Sequence, residues 1–278
     1  MYKRRVRSVI FHAVCLIVGV SMLYPIFWMI ASSLKESSKV FVDAYNLFPH
    51  PAHFENYARG WQGFGGLSFA TFFKNSFIVV VLTLVGMLLS CSMIAYGFVR
   101  QNFRFKKFWF ATVMISMMLP AQIIMIPQYI IFHKLNLTNT FAPLILPSFF
   151  GGAFFIFLLM QFIRSIPYEL DEAAKIDGCS AFQIYYKIIL PLIKPALITA
   201  AIFQFYWSWD DFLAPLIYLG KPQLFTVSVA LRLFSDPTQT DYSAMFAMGC
   251  ISILPPILIF FFFQKYIVEG ISTSGLKA

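Results

Sequence analysis

The sequence predicts an all-α integral membrane protein with six transmembrane helices and both termini on the cytoplasmic side. Three observations predict it. Only 12% of the 278 residues are charged and 59% are hydrophobic, about half the charged share of a soluble domain. Six apolar runs occur, at about 9–31, 69–99, 108–131, 141–163, 196–219 and 242–266, and each reaches the roughly 20 residues that cross a hydrocarbon layer. With the N-terminus placed inside, the inner segments carry fourteen lysines and arginines against seven outside, the bias that sets orientation in a bilayer. The whole chain, 1–278, reads as one transmembrane domain with a long inner loop at 164–195.

The first run follows the basic stretch K-R-R-V-R at 3–7. A secretory leader starts that way, but this run is too long and five further runs follow, so an uncleaved first helix is expected, kinked at Pro25. Residues 32–68 are polar, hold Pro49, Pro51 and several glycines, and read as a loop with one short interfacial helix. Prolines mark every later run except the second: Pro120 and Pro127, Pro143 and Pro147, Pro215, Pro255 and Pro256. Broken helices at membrane depth either kink a packed bundle or border a cavity, and both readings stand.

The inner loop holds four of the twelve acidic residues, Glu169, Asp171, Glu172 and Asp177. It predicts two short helices hinged at a glycine. Pro167 suits a first helical turn. Leu170, Ala173 and Ala174 fall on one face, and Asp171 and Lys175 are spaced to pair at i, i+4 on the other. Gly178 supplies the left-handed stop. Ser180 and Gln183 form a capping box for the second helix, which is expected to end near Leu190, before Pro191. Asp177 opposes the macrodipole at the end of the first helix; it either begins the next turn or meets a partner.

The run E-A-A-K-I-D-G, followed at the expected distance by I-I-L-P, resembles the signature loop of membrane subunits of ABC importers. Within that family it is similar to the carbohydrate-uptake type, the second permease subunit of the maltose-permease kind. Glu172, Ala173, Ala174, Asp177, Gly178, Ile188, Leu190 and Pro191 stand on the motif positions. The resemblance implies that the loop is a cytoplasmic coupling helix between helices 4 and 5. It also implies a set of partners: two ATP-binding subunits, a second permease subunit, an extracytoplasmic solute-binding protein, a sugar substrate and the lipid bilayer of a bacterial or archaeal cell membrane.

The fifth run contains Q-F-Y-W-S-W-D-D-F-L-A-P-L. A carboxylate at bilayer depth costs about 2.5–3.5 kcal/mol on insertion scales, so Asp210 and Asp211 need a reason. Adjacent helical residues diverge by about 100°, and the two cannot face one partner. W-D-D-F-L-A-P-L resembles the family pattern of Trp, Asn, an acidic residue, Phe and Pro-Leu; Asp211 stands on the acidic position and Asp210 replaces the Asn. A structural hydrogen bond is one reading. The other is a polar, aromatic-lined sugar path using Gln204, Trp207, Trp209, Asp210 and Asp211, with Tyr206 beside them. Gln122, Gln128 and Gln161 read as amides joining helices. Asn75 and Ser76 also resemble a family feature. The tail, with Gly270, Gly275 and Lys277 in the family pattern, is either an ATPase contact or a frayed end.

The exclusions are equally direct. The basic residues cluster at the ends of apolar runs rather than in one stripe, which argues against nucleic acid. No G-x-x-x-x-G-K-[ST] loop, nucleophile elbow or metal-binding histidine pair occurs, and Cys15, Cys91, Cys179 and Cys250 have no metal-ligand spacing. The expectation is a non-enzyme with no cofactor and no metal. The rival class is an ion-coupled secondary transporter titrating Asp210 or Asp211.

Overall fold

The computed structural model describes residues 2–234 and 240–275, and among them every regular element is helical apart from one isolated bridge, Phe64 to Leu67. Helix α1 spans Tyr2–Ser33 and runs on through Pro25. A short α2, Glu55–Gln62, precedes the long apolar α3, Phe69–Arg100. The third run is not one rod. It forms α4, Lys106–Met118, and α5, Ala121–Lys134, bent by 104° at the break. The cause is Pro120, whose ring pushes Leu119 into the extended region (ψ 123°) and whose nitrogen has no proton to donate.

The fourth run begins with a loose turn at Ala142–Ile145 and a 3-10 segment at Leu146–Phe150, then continues as α6, Ala153–Ser165. Next come α7, Glu169–Ile176, and α8, Ala181–Leu192. Helix α8 does not stop at Leu190. It passes through a π turn at Tyr185–Ile189 and continues past it, so Pro191 sits near the start of a fresh turn where its missing N–H is harmless. The chain then bends by 75° into α9, Lys194–Asp210. That helix ends earlier than the apolar run suggests, and α10, Leu213–Tyr218, follows a break at Asp211. The last two helices are α11, Tyr242–Ser252, and α12, Leu254–Gly275. By length and composition four helical stretches can cross a membrane, and up to six if each bent pair is one span.

The chain forms two compact units. The first comprises Met1–Ala70 with Ala230–Leu254. Its joint is polar: Asn56 Nδ2 donates to the carbonyls of Ser33 and Lys35, both at 2.8 Å, and the Ser243 hydroxyl adds a bond to Lys35 at 2.7 Å. These donors satisfy carbonyls that the end of α1 leaves open. Asp241 caps α11 through the Ala244 N–H and pairs with Arg59 at 2.6 Å.

The second unit comprises Thr71–Val229 with Pro255–Ala278. Its core joins Cys91 and Ala95 of α3, Leu159, Met160 and Ile163 of α6, Ile184 and Ile189 of α8, and Ala196 and Ala200 of α9. Small residues let α3 and its neighbours approach closely, as helices in lipid require. Gly86 is the tightest case, because a Cβ there would lie 2.5 Å from the Phe149 ring and 2.7 Å from the Ser148 hydroxyl. Asn75 and Ser76 hold the 223–227 segment in place. Asn75 Nδ2 donates to the carbonyls of Gln223 and Phe225, and the Ser76 hydroxyl accepts from the Val227 N–H.

Gly86→Leu is therefore expected to lower stability by about 1–3 kcal/mol. Gly97→Ala, with nothing within 4 Å of the added Cβ, should be neutral or raise it by up to ~1 kcal/mol. Thermal unfolding in detergent checks the pair.

Candidate functional site: the elbow at 166–193 and the cleft beside Trp207

Helix α7 begins two residues after Pro167, which lies outside its first turn. Tyr168 is its N-cap, and its carbonyl accepts from the N–H groups of Asp171 and Glu172. The first turn holds Glu169, Asp171 and Glu172, three carboxylates where the helix dipole favours negative charge. Its close is a glycine cap: Gly178 adopts φ +80°, its N–H reaches the Lys175 carbonyl at 3.0 Å, and the Cys179 N–H reaches that of Ala174 at 2.9 Å. Ser180 then starts α8 with both bonds of the capping box formed. The Asp177 carboxylate is exposed and does not cap the next turn.

The charge pairing differs from the one the spacing suggests. Asp171 turns inward, away from Lys175, and meets Arg100, the last residue of α3, with Nε 3.0 Å from Oδ2. The approach is close but too oblique to count as a hydrogen bond. Both side chains are buried, at 5% and 3% exposure. Arg100 Nη2 also donates to the Ile166 carbonyl at 2.7 Å, and its guanidinium lies over the Tyr168 ring at 4.9 Å. The Tyr168 hydroxyl returns a bond to the Arg100 carbonyl. Each charge suits its helix end, a cation at the C-terminus of α3 and an anion in the first turn of α7. Lys175 instead sits 5.6 Å over the Tyr168 ring.

The second half of the elbow is fixed by packing. Ile184, Ile189 and Ile193 are fully buried, the Tyr185 and Ser92 hydroxyls bond at 2.7 Å, and the Tyr96 hydroxyl donates to the Ala181 carbonyl. What remains outside is an apolar and acidic rim of Leu170, Glu172, Ala173, Ile176 and Phe182, with Ile176 exposed to 87%. Ala174 is buried, so the predicted face of Leu170, Ala173 and Ala174 is split between surface and core.

The acidic segment after α9 borders two clefts. One, about 490 Å³, is lined by Tyr206, Trp207, Asp210, Asp211, Phe212 and Leu213. The other, about 350 Å³, takes in Thr83, Ser148, Gln204, Trp207, Ser208 and Asp211. Trp207 and Asp211 line both. Asp210 is exposed on the first. Asp211 has a structural duty as well: its Oδ1 accepts from the Ala214 N–H, starting α10, and its carbonyl takes the Ser228 hydroxyl at 2.6 Å. Gln204 donates to Ser208 at 2.8 Å. Trp209 is not a cleft residue. It is 5% exposed, stacked on Phe205 and packed against Phe73 and Phe77, because it lies on the opposite face of α9 from Trp207. Of the tail residues, Gly270 and Gly275 continue α12, whereas Lys277 lies outside the described residues.

A family model described as binding-protein-dependent transport system inner membrane component matches residues 83–273, a stretch that contains the elbow and both clefts. The chain belongs to this family. It is a multi-pass permease component of the cell membrane and not an enzyme. A probable ABC transporter permease protein, YurM, from Bacillus subtilis is 35% identical over 259 residues, covering 93% of this chain and 85% of the relative. The arabinooligosaccharides transport system permease protein AraQ of the same organism is 35% identical over 257 residues, with 92% and 90% covered. The multiple sugar-binding transport system permease protein MsmG from Streptococcus mutans is 31% identical over 264 residues, with 93% of each covered. Among solved structures, a chain of a bacterial ABC transporter for import of the acidic polysaccharide alginate superposes with a TM-score of 0.83 at 22% identity, over 94% of this chain and 96% of that one. That likeness is one of fold.

The permease's buried pair makes a sharp prediction. Arg100→Met leaves Asp171 buried and uncompensated and should cost about 3–5 kcal/mol, whereas Arg100→Met with Asp171→Leu should recover most of it. Unfolding of the purified variants in detergent measures both.

Proposed function

We propose that this permease is one of two membrane subunits of an ATP-driven, binding-protein-dependent sugar importer, with N- and C-termini in the cytoplasm. Three kinds of support converge on the sugar. The relatives AraQ and MsmG are named for sugar transport. A second structure of similar fold (TM-score 0.67, 16% identity) is an alginate transporter in complex with an alginate pentasaccharide-bound periplasmic protein. The clefts beside Trp207 offer an indole face that is half exposed, with Gln204, Asp210 and Asp211 as polar partners. A flat aromatic face with a few convergent polar groups is the composition of a small-molecule path.

The observation that carries the transmission role is the elbow. Its inner side is held by the Arg100–Asp171 pair and the isoleucine core, and its outer rim, Glu172, Ala173 and Ile176, is free for a neighbour. An ATP-binding subunit gripping that rim moves α3 and α8 with it, because the joint has no slack. Two such subunits, a sister permease and an extracytoplasmic binding protein complete the machine, and ATP is hydrolysed on the partners. The tail around Gly270, Gly275 and Lys277 is the second contact for the ATPase pair. Substrate passes along Trp207, Gln204, Asp210 and Asp211, and Trp209, turned to the opposite face of α9, takes no part in the path.

Gly178→Pro tests the coupling role. Proline fixes φ near −65° where the cap needs +80°, so docking of the ATPase should weaken by about tenfold or more, the equivalent of ~1.4 kcal/mol. Membrane insertion should stay normal while sugar uptake and binding-protein-stimulated ATP hydrolysis fall together. Unchanged uptake would overturn the role. Uptake by this chain alone, driven by an ion gradient, would instead favour the secondary transporter using Asp210 or Asp211.

A further inference from the structure

A third recess lies near the end of α3, the end that contacts the elbow. It has a volume of about 350 Å³ and sits between the end of α3 and the start of α4, lined by Ile94, Gly97, Phe98, Phe103, Trp109 and Val113. Its only polar lining residue is Thr112, whose hydroxyl proton is already donated to the Phe108 carbonyl at 3.1 Å. Gly97 forms an open floor, with nothing within 4 Å of where a Cβ would stand. A recess with no free donor and a single hydroxyl oxygen as acceptor gives sugar or water too few partners to be held well; it takes hydrocarbon.

Its rim carries charge of one sign. Arg104, Lys106 and Lys107 fall within four residues at the corner joining α3 to α4. That corner is set by Phe105, the N-cap of α4, in the left-handed conformation at φ 62°. Lys106 is partly engaged, donating to the Gln101 carbonyl at 2.9 Å, and the Arg104 guanidinium lies over the Phe105 ring. Arg104 and Lys107 are exposed, and no carboxylate among the described residues pairs with any of the three cations. At a helix start these cations also oppose the macrodipole of α4, so an external anion is favoured there twice over.

We propose that this corner is a binding site for an anionic phospholipid, with one acyl chain in the Gly97–Trp109 slot and the phosphate against Arg104 and Lys107. An apolar slot with basic residues at the membrane surface is the combination that recognises acidic headgroups. Through Arg100, three residues beyond Gly97, the lipid touches the same end of α3 that holds the elbow. The site stands on membrane insertion alone and does not require the importer reading.

Native mass spectrometry of the full chain in detergent, titrated with phosphatidylglycerol or phosphatidylcholine, tests the site. Phosphatidylglycerol should be retained preferentially. Arg104→Gln and Lys107→Gln should each reduce its retention about fivefold and leave phosphatidylcholine unchanged. Gly97→Leu, which fills the slot without touching the cations, should reduce retention of both lipids. Equal retention of the two lipids by the native chain would overturn the proposal, as would full phosphatidylglycerol retention in Gly97→Leu. Protection of Trp109 from aqueous quenchers only when another permease subunit co-purifies, with no lipid preference in the chain alone, would assign the slot to a protein neighbour and also overturn it.

Discussion

A buried arginine and a buried aspartate hold the elbow to the end of α3. Arg100 closes α3 and Asp171 opens α7, and each charge is stabilised by the helix end on which it sits. Neither has water to fall back on, so separating them would leave a bare ion in an apolar surround. The Ile166 carbonyl and the Tyr168 ring close the remaining sides of the guanidinium. The exposed rim of α7 is thereby tied through this pair to the end of α3.

The rest of the second unit follows from that constraint and from lipid as solvent. Backbone groups at membrane depth must find partners inside the protein, and several of the breaks in the helices have a local device that provides them. Asp211 caps the turn that starts α10, Asn75 holds two carbonyls of the 223–225 segment, and the π turn in α8 lets the chain absorb Pro191 without ending. The break at Asp211 and the irregular segment at 147–152 border the clefts that contain Trp207. Local irregularity and cavity occur together there because straight, closely packed helices leave no room for a cleft.

Local signals were legible in the sequence wherever cause and effect lie within one turn. Gly178 as a left-handed stop and Ser180 with Gln183 as a capping box are both present as the residue types require. The apolar runs mark the long helices, and Pro120 marks the break in the third one, though not its angle of 104°. Long-range pairings were not legible. Asp171 has a lysine at i+4 and an arginine far upstream, and only packing decides that it turns to the arginine. Trp207 and Trp209 look alike in a string of aromatics, yet the 3.6-residue period sends one to the cleft and the other to Phe205 and Phe77. The role of Arg100 had no local signature beyond a basic residue at the end of an apolar helix.

If the buried pair transmits force, the end of α3 and the elbow move as one body. Spin labels at Asn102 and Ala173, both exposed, in a variant lacking the four native cysteines, report their separation directly in the assembled transporter. One narrow distance distribution is expected, identical without nucleotide and with ATP bound. A shift of several ångströms between those states, or two populations that exchange with nucleotide, would contradict rigid coupling.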